Sequence, residues 1–144
     1  MEELQTSDLY RQLIRSAPDA VMITDAQGKI ILWNPGAEAV FGYTTGEALG
    51  KTLDLIIPER LRHRHWEGFR QTMDTGVSRY GAKDLLTVPA CRRDGTQFSC
   101  EFSIAPLRGE DGRLVGMGAI LRDISARRNE EKALRERLAA LEGK

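Results

Sequence analysis

The feature that most constrains the fold is a change of hydrophobic period midway along the chain. Residues 57–73 follow the helical period, whereas residues 85–93 and 96–105 alternate apolar and polar side chains as strands do. Asp94 and Gly95 stand between the two predicted strands, and this dipeptide favours a two-residue hairpin turn. The chain is therefore predicted to combine helices with an antiparallel sheet.

The predicted hairpin also determines how the two cysteines, Cys91 and Cys100, are placed relative to each other. A two-residue turn places Cys91 opposite Phe98, so the cysteines do not face each other and a disulfide is disfavoured. Cys100 is then expected on the same face as Phe98, Phe102 and Ile104. Because the polar N-terminus does not resemble a signal peptide, we expect reduced thiols and a cytoplasmic protein.

The predicted long helix carries one apolar stripe at helical spacing. Leu61, His65, Phe69 and Met73 recur at steps of four residues, and Pro58 suits the first helical position. The helix is therefore expected to lie over a core and to point one ligand-capable imidazole inward. The opposite, solvated face is expected to hold Arg60, Arg62, His63, Arg64, Glu67 and Arg70.

The first third of the chain predicts a helix, a hairpin and a second helix. Residues 7–16 fit a helix, and residues 20–24 and 29–33 fit two strands with a four-residue connection. Asn34 and Pro35 are a capping residue and a first-turn proline, so they begin a helix. The other predicted elements are a short helix begun by Thr44 or Thr45 and a last strand over 114–121.

We divide the chain into an N-terminal flanking helix (1–17), a core (18–124) and a C-terminal linker helix (125–144). The last segment is highly charged, and its apolar residues recur at alternating three- and four-residue steps. This pattern is typical of a short, imperfect coiled coil, so we expect a homodimer through the terminal helices; packing on the chain's own core is the alternative. The seam consists of Ile124, Leu134, Leu138 and Leu141, with Arg127 and Glu131 at two of its positions.

Composition excludes several functional classes. Lys plus Arg and Asp plus Glu each number 21, so the formal net charge of zero gives no indication of nucleic-acid or membrane binding. No apolar run approaches the length of a membrane span. There is no nucleophile elbow and no phosphate-binding glycine loop, so we expect no enzymatic activity. No kinase, cyclase or DNA-binding segment is found, which is expected of a single-domain protein or an excised sensor.

The order of elements resembles that of PAS domains over roughly residues 8 to 126. The resemblance implies an α+β fold: a five-stranded antiparallel sheet, short helices and one long helix over one face, with an N-terminal helix and a coiled-coil-like C-terminal helix. It also implies a sensory role, with Asp123, Ile124 and Ser125 relaying the signal to the output helix. The resembling motifs are SAPDAVMITDAQGKIILWNPGAEAVFGYTTGEALGK, IIPE, RRDGTQFSCEFSI and GMGAILRDIS.

Within this family, the long helix is similar to that of oxygen-sensing haem PAS domains of sensor kinases and phosphodiesterases. Those domains bind iron through a histidine that follows a proline by seven residues and an arginine by three. Pro58, Arg62 and His65 match this spacing, so the resemblance implies haem as a cofactor and His65 as the iron ligand. Tyr80 and Lys83 are candidates for a polar distal residue. The apolar wall of the site would consist of Leu61, Phe69, Met73, Phe102, Ile104, Met117 and Leu121.

Three functions remain open from the sequence. The first is a sensor that binds a small ligand in an apolar cavity and relays its state to the C-terminal helix or a partner. The second is a haem-based gas or redox sensor, and the third is a ligand-free dimerisation or docking module. Flavin photochemistry is excluded because it needs a cysteine in the helical region, and residues 35–78 contain none. His63 and His65 point apart on a helix, which disfavours a zinc site.

Overall fold

The computed structural model describes residues 5–78 and 84–143. The described residues form five β-strands and five α-helices, with one 3-10 turn before the long helix. The strands are β1 (Ala20–Asp25), β2 (Ile30–Trp33), β3 (Leu86–Cys91), β4 (Gln97–Arg108) and β5 (Leu114–Asp123). The helices are α1 (Thr6–Ser16), α2 (Pro35–Phe41), α3 (Thr45–Ala48), α4 (Glu59–Thr75) and α5 (Ser125–Glu142), and the 3-10 turn is Leu53–Leu55.

The strands form one antiparallel sheet in the order β2-β1-β5-β4-β3. This arrangement confirms the fold predicted from the sequence. The order brings the first and last strands together at the centre, with β2 and β3 at the edges. The start of α5 therefore lies directly after a central strand of the sheet.

One face of the sheet carries the core. Cross-strand pairing places Met22 opposite Ala119 and Phe102 opposite Leu121, so these side chains share a face. Helix α2 packs on this inner face through Phe41, whose ring centroid lies 5.7 Å from that of Phe98. The inner face is therefore the wall against which the helices pack.

Asn34 joins three elements of the core. It is buried, with 3% of its surface exposed. Its Oδ1 accepts hydrogen bonds from the N–H groups of Ala37 and Val21, each at 2.8 Å. Its Nδ2 donates to the carbonyls of Ile14 (2.8 Å) and Asp19 (3.1 Å). The predicted N-cap of α2 thus also fastens the end of α1 to β1.

The predicted register of the β3–β4 hairpin is wrong by one residue. Cys91 pairs with Gln97 instead of Phe98. Gly95 has φ +87° and closes a three-residue connection in which its N–H bonds the carbonyl three positions earlier. The Asp94 carboxylate accepts from the backbone N–H two residues ahead, which stabilises this longer turn. Both cysteines are free, as expected.

Two expectations about the helices are also corrected. Helix α4 covers Glu59–Thr75, and Pro58 occupies the cap position that precedes the first helical residue. Ile124 does not join a coiled-coil seam, because it precedes α5 and is only 5% exposed. The leucines of the predicted seam, Leu134, Leu138 and Leu141, are exposed. None of the described helices is long and apolar enough to span a membrane.

Candidate functional site

Helix α4 turns its apolar stripe toward the domain. Leu61, His65, Phe69 and Met73 are each half-buried, whereas His63 is exposed and pairs with Glu67 on the same helix. None of the 17 residues of α4 is fully buried. The helix therefore covers the domain without placing a side chain in its fully buried core.

His65 lies on the inward side of α4. Its Nδ1 is buried and has no hydrogen-bond partner among the described residues. Its ring centroid lies 4.9 Å from that of Trp66, edge to face, and 6.3 Å from that of Phe69. Burial lowers the pKa of the imidazole below its ordinary value of 6.5, and the Asp54 carboxylate acts in the opposite direction. The imidazole is therefore neutral near pH 7, the form that binds a metal or accepts a hydrogen bond.

Trp66 is part of this site, although the sequence reasoning did not single it out. Its Nε1 donates a 2.8 Å hydrogen bond to Asp54 Oδ1. Its ring packs on Gly28 so closely that a Cβ there would lie 2.4 Å from the ring. Trp66 thus fastens α4 to the β1–β2 turn. Its position next to His65, at the edge of the apolar stripe, is the signal that could have identified it.

Arg62 does not lie on the solvated face of α4, and that expectation is wrong. The side chain is half-buried. Its Nε donates to the carbonyl of Ile57 (3.1 Å), and its Nη2 donates to the carbonyl of Asp54 (3.2 Å). Carbonyl groups in an irregular segment need donors, and a long guanidinium on the next helix supplies two. Arg62 therefore holds the entry to α4 in place.

The sheet supplies the opposite wall. The register places Phe102, Ile104, Met117 and Leu121 on the inner face, the first three half-buried and the last buried. Thr24 lies on the same face, directly opposite Met117, and its hydroxyl is buried without a partner among the described residues. Thr24 was not identified from the sequence, because its position in the pattern is that of an ordinary strand residue.

An open groove of about 490 Å³ runs between α4 and the β1–β2 turn. It passes Trp66 and Phe69 on the helix and Asp54 before it. The groove borders the predicted ligand site without including His65. Its lining residues are Ala26, Gln27, Thr52, Asp54, His63, Trp66, Phe69 and Arg70.

The three predicted relay residues connect the sheet to α5. Asp123 Oδ1 accepts from the Ser125 N–H at 2.8 Å, and its Oδ2 forms an ion pair with Arg92. Ser125 Oγ accepts from the Ser99 N–H at 3.1 Å, and the Ile124 N–H donates to the Ser99 carbonyl at 3.0 Å. Burial would raise the pKa of Asp123, but hydrogen bonds from Arg92 and Ser125 outweigh it and lower the pKa.

Two further expectations concern metal-binding residues and the polar residue on the distal side of the ligand site. Within residues 5–78 and 84–143, no group of three or more His, Cys, Asp or Glu side chains could hold a metal ion. Tyr80 and Lys83 lie outside the described residues. A single imidazole, at His65, is therefore the metal-ligating group that the described part of this site offers.

Several curated proteins are similar to the chain over most of its length. An uncharacterized protein of Azorhizobium caulinodans is 35% identical over 96% of the chain. The sensor protein FixL of Bradyrhizobium diazoefficiens is 30% identical over 92% of the chain, and the oxygen sensor protein DosP of Escherichia coli is 27% identical over 85%. The chain spans 18%, 26% and 15% of the lengths of these three relatives, respectively.

A solved structure and a family model agree with these relatives. The PAS domain of a protein from Colwellia psychrerythraea superimposes with a TM-score of 0.73 at 24% identity, covering 85% of this chain and 99% of that one. The family model described as PAS fold matches residues 14–129. The chain therefore belongs to the PAS-fold family, the sensory domains of signal-transduction proteins.

Proposed function

We propose that this PAS domain senses a small ligand or cofactor held between α4 and the inner face of the sheet, and relays its state to α5. The observation that carries the proposal is the half-buried His65, whose buried Nδ1 has no partner among the described residues. A buried polar atom without a hydrogen bond is costly, and a ligand would remove that cost. In this proposal the domain binds and relays in the cytoplasm and catalyses no reaction.

Haem is the cofactor that these residues fit best. His65 is a neutral imidazole on a helix that Trp66 and Arg62 hold in place, and such a group would hold the iron of a bound haem. When bound, haem would supply an iron centre able to take a small gas molecule. The similarity to the oxygen sensor protein DosP favours this class of signal. The apolar residues that would hold the macrocycle are Leu61, Phe69, Met73, Phe102, Ile104, Met117 and Leu121.

The experiment is a hemin titration followed by visible absorbance, with two histidine variants. We expect a Soret band in the wild-type protein that is lost in His65→Ala. His63→Ala is the matched control, because His63 is exposed on the same helix and should leave the band unchanged. A wild-type protein that stays colourless would overturn the haem assignment. Mass spectrometry of the native protein would then identify any other bound ligand.

The relay would run through the junction between β5 and α5. Asp123, Ile124 and Ser125 join the last central strand to the helix by hydrogen bonds to Arg92 and Ser99. A ligand that shifts the inner face of the sheet would change the balance between two packings of α5. Helix α5 would pass this change to an effector domain or partner protein.

Dimerisation is the second candidate function, whether or not the domain also binds a ligand. Leu9 and Leu13 on α1, and Leu134 and Leu138 on α5, are exposed apolar residues on terminal helices. A second copy of the chain could cover them. The test is the molar mass by light scattering: we expect a wild-type dimer and a monomeric Leu134→Glu/Leu138→Glu variant. A wild-type monomer at high concentration would overturn this candidate.

A further inference from the structure

Thr24 carries a buried hydroxyl with no visible role in the fold. It lies on the inner face of β1, opposite Met117 on β5 and Ile30 on β2. Only 2% of its surface is exposed, and its Oγ1 has no hydrogen-bond partner among the described residues. Leaving a buried hydroxyl without a partner costs free energy, and the two residues directly opposite Thr24 in the sheet, Ile30 and Met117, are apolar. A hydrogen-bond partner from outside the described residues, such as a bound ligand, would remove that cost.

Thr24 lies on the inner face of the sheet, and His65 lies on the inward side of α4. The hairpin that contains Thr24 contacts α4 at its turn, where a Cβ on Gly28 would lie 3.6 Å from the Phe69 ring. The Phe69 ring in turn lies 6.3 Å from that of His65. Within residues 5–78 and 84–143, Thr24 Oγ1 and His65 Nδ1 are the buried side-chain polar atoms without partners. One of these two unpaired polar atoms is thus on the sheet and the other is on helix α4.

We propose that Thr24 is the polar contact on the sheet side of the ligand site, where its hydroxyl donates a hydrogen bond to a small uncharged ligand with an acceptor atom. This inference rests on the proposed function, because it needs a ligand held between α4 and the sheet. A carboxylate is disfavoured at this point, since Ile30 and Met117 offer no compensating charge. The chemistry fits a diatomic gas such as dioxygen. Thr24 would then set the affinity and selectivity of the sensor.

The test compares Thr24→Val, which removes the hydroxyl and keeps a branched side chain, with Thr24→Ser, which retains a hydroxyl. The probe is dioxygen, titrated into hemin-loaded, reduced protein and followed by absorbance. One lost hydrogen bond should weaken dioxygen binding by about 2- to 10-fold in Thr24→Val, while Thr24→Ser stays near wild type. If Thr24→Val does not fold by circular dichroism, Thr24→Ala is the second hydroxyl-free variant.

A second readout uses the protein without hemin. Because the hydroxyl has no hydrogen-bond partner among the described residues, Thr24→Val should unfold at the same temperature as wild type or at a higher one. A clear fall in that temperature would mean that the hydroxyl is bonded within the protein, and would overturn the inference.

The outcomes separate this inference from the proposed function. Hemin binding with unchanged dioxygen affinity in Thr24→Val would overturn the role of Thr24 and leave the haem assignment standing. Failure of the folded wild-type protein to take up hemin would overturn both.

Discussion

Arg92 and Asp123 form an ion pair that joins the β3–β4 hairpin to the end of β5. The same guanidinium donates a 2.6 Å hydrogen bond from Nη1 to the Val40 carbonyl of α2, and it lies 4.0 Å above the centroid of the Phe98 ring. Asp123 in turn accepts from the first N–H of α5. One side chain therefore connects the core helix α2, the β3–β4 hairpin and the start of α5.

We predict that Arg92→Ala lowers the free energy of unfolding by about 1–2 kcal/mol, because it removes a partly exposed ion pair, a hydrogen bond and a cation–π contact together. Urea denaturation measures this change. Hydrogen exchange should also show faster opening of the first turn of α5, since Asp123 loses the partner that orients it. Arg113→Ala, at an exposed turn, is the control and should stay within about 0.5 kcal/mol of wild type. Equal behaviour of the two variants would contradict the prediction.

Asn34→Ala is expected to cost about 2–4 kcal/mol, since it removes the α2 cap and leaves buried donors and acceptors without partners. Equilibrium unfolding in urea measures the loss. Asn34→Asp is the informative companion. It keeps an acceptor for the Ala37 N–H but turns a carboxylate toward the carbonyls of Ile14 and Asp19. It should therefore remain clearly less stable than wild type, and wild-type stability would disprove the bridging role of the amide.

A comparison of Gly28→Ala with Gly50→Ala measures how much the close packing of Trp66 on Gly28 adds to the loss in the free energy of unfolding. Both glycines have a positive φ, +83° and +82°, so both substitutions should cost about 1–2 kcal/mol for the backbone alone. A Cβ at Gly50 meets no atom within 4 Å, whereas one at Gly28 overlaps the Trp66 ring. Gly28→Ala should therefore lose a further 1 kcal/mol or so from the displaced ring.

The double variant Gly28→Ala/Trp66→Ala checks the cause of that excess. If the overlap is responsible, the effect of Gly28→Ala should shrink to that of Gly50→Ala once the ring is absent. Strict additivity of the two substitutions, measured by urea denaturation, would refute the explanation.

The stability of the ligand-free protein should depend on pH through His65. Burial lowers the pKa of His65 in the folded state, so the unfolded chain binds the proton more readily. The stability from the neutral imidazole is complete above about pH 6.5 and is lost as the pH falls below that value. His65→Gln should flatten the pH dependence of the unfolding free energy between about pH 5 and 7. His63→Gln should not, and equal slopes for His65→Gln and wild type would contradict the prediction.

Local sequence patterns predicted much of the secondary structure around the site. The four-residue spacing of Leu61, His65 and Phe69 predicted that they share one face of α4, and the structure places them so. Asn34 and Pro35 predicted the start of α2 because capping depends on neighbouring residues alone. The ligand, the iron-binding role of His65 and the division into segments remain predictions.

Contacts between distant residues could not be read in the same way. The hairpin register depended on whether Gly95 closed a two- or three-residue connection. This choice moved the partner of Cys91 on β4 by one residue. Arg62 reads as a solvated helix residue, yet carbonyls of the preceding segment bind it. Trp66 was passed over because its partners, Asp54 and Gly28, lie 12 and 38 residues away.

The sequence by itself determined the types of the elements, their order and the inward position of the imidazole, because periodicity, caps and turns act over a few residues. Only the tertiary structure decided which polar groups would be left without partners. The Thr24 hydroxyl and the His65 Nδ1, which have no hydrogen-bond partner among the described residues, belong to a strand and a helix far apart in the chain. Hydrogen-bond satisfaction belongs to the whole assembled core, and no local pattern records it.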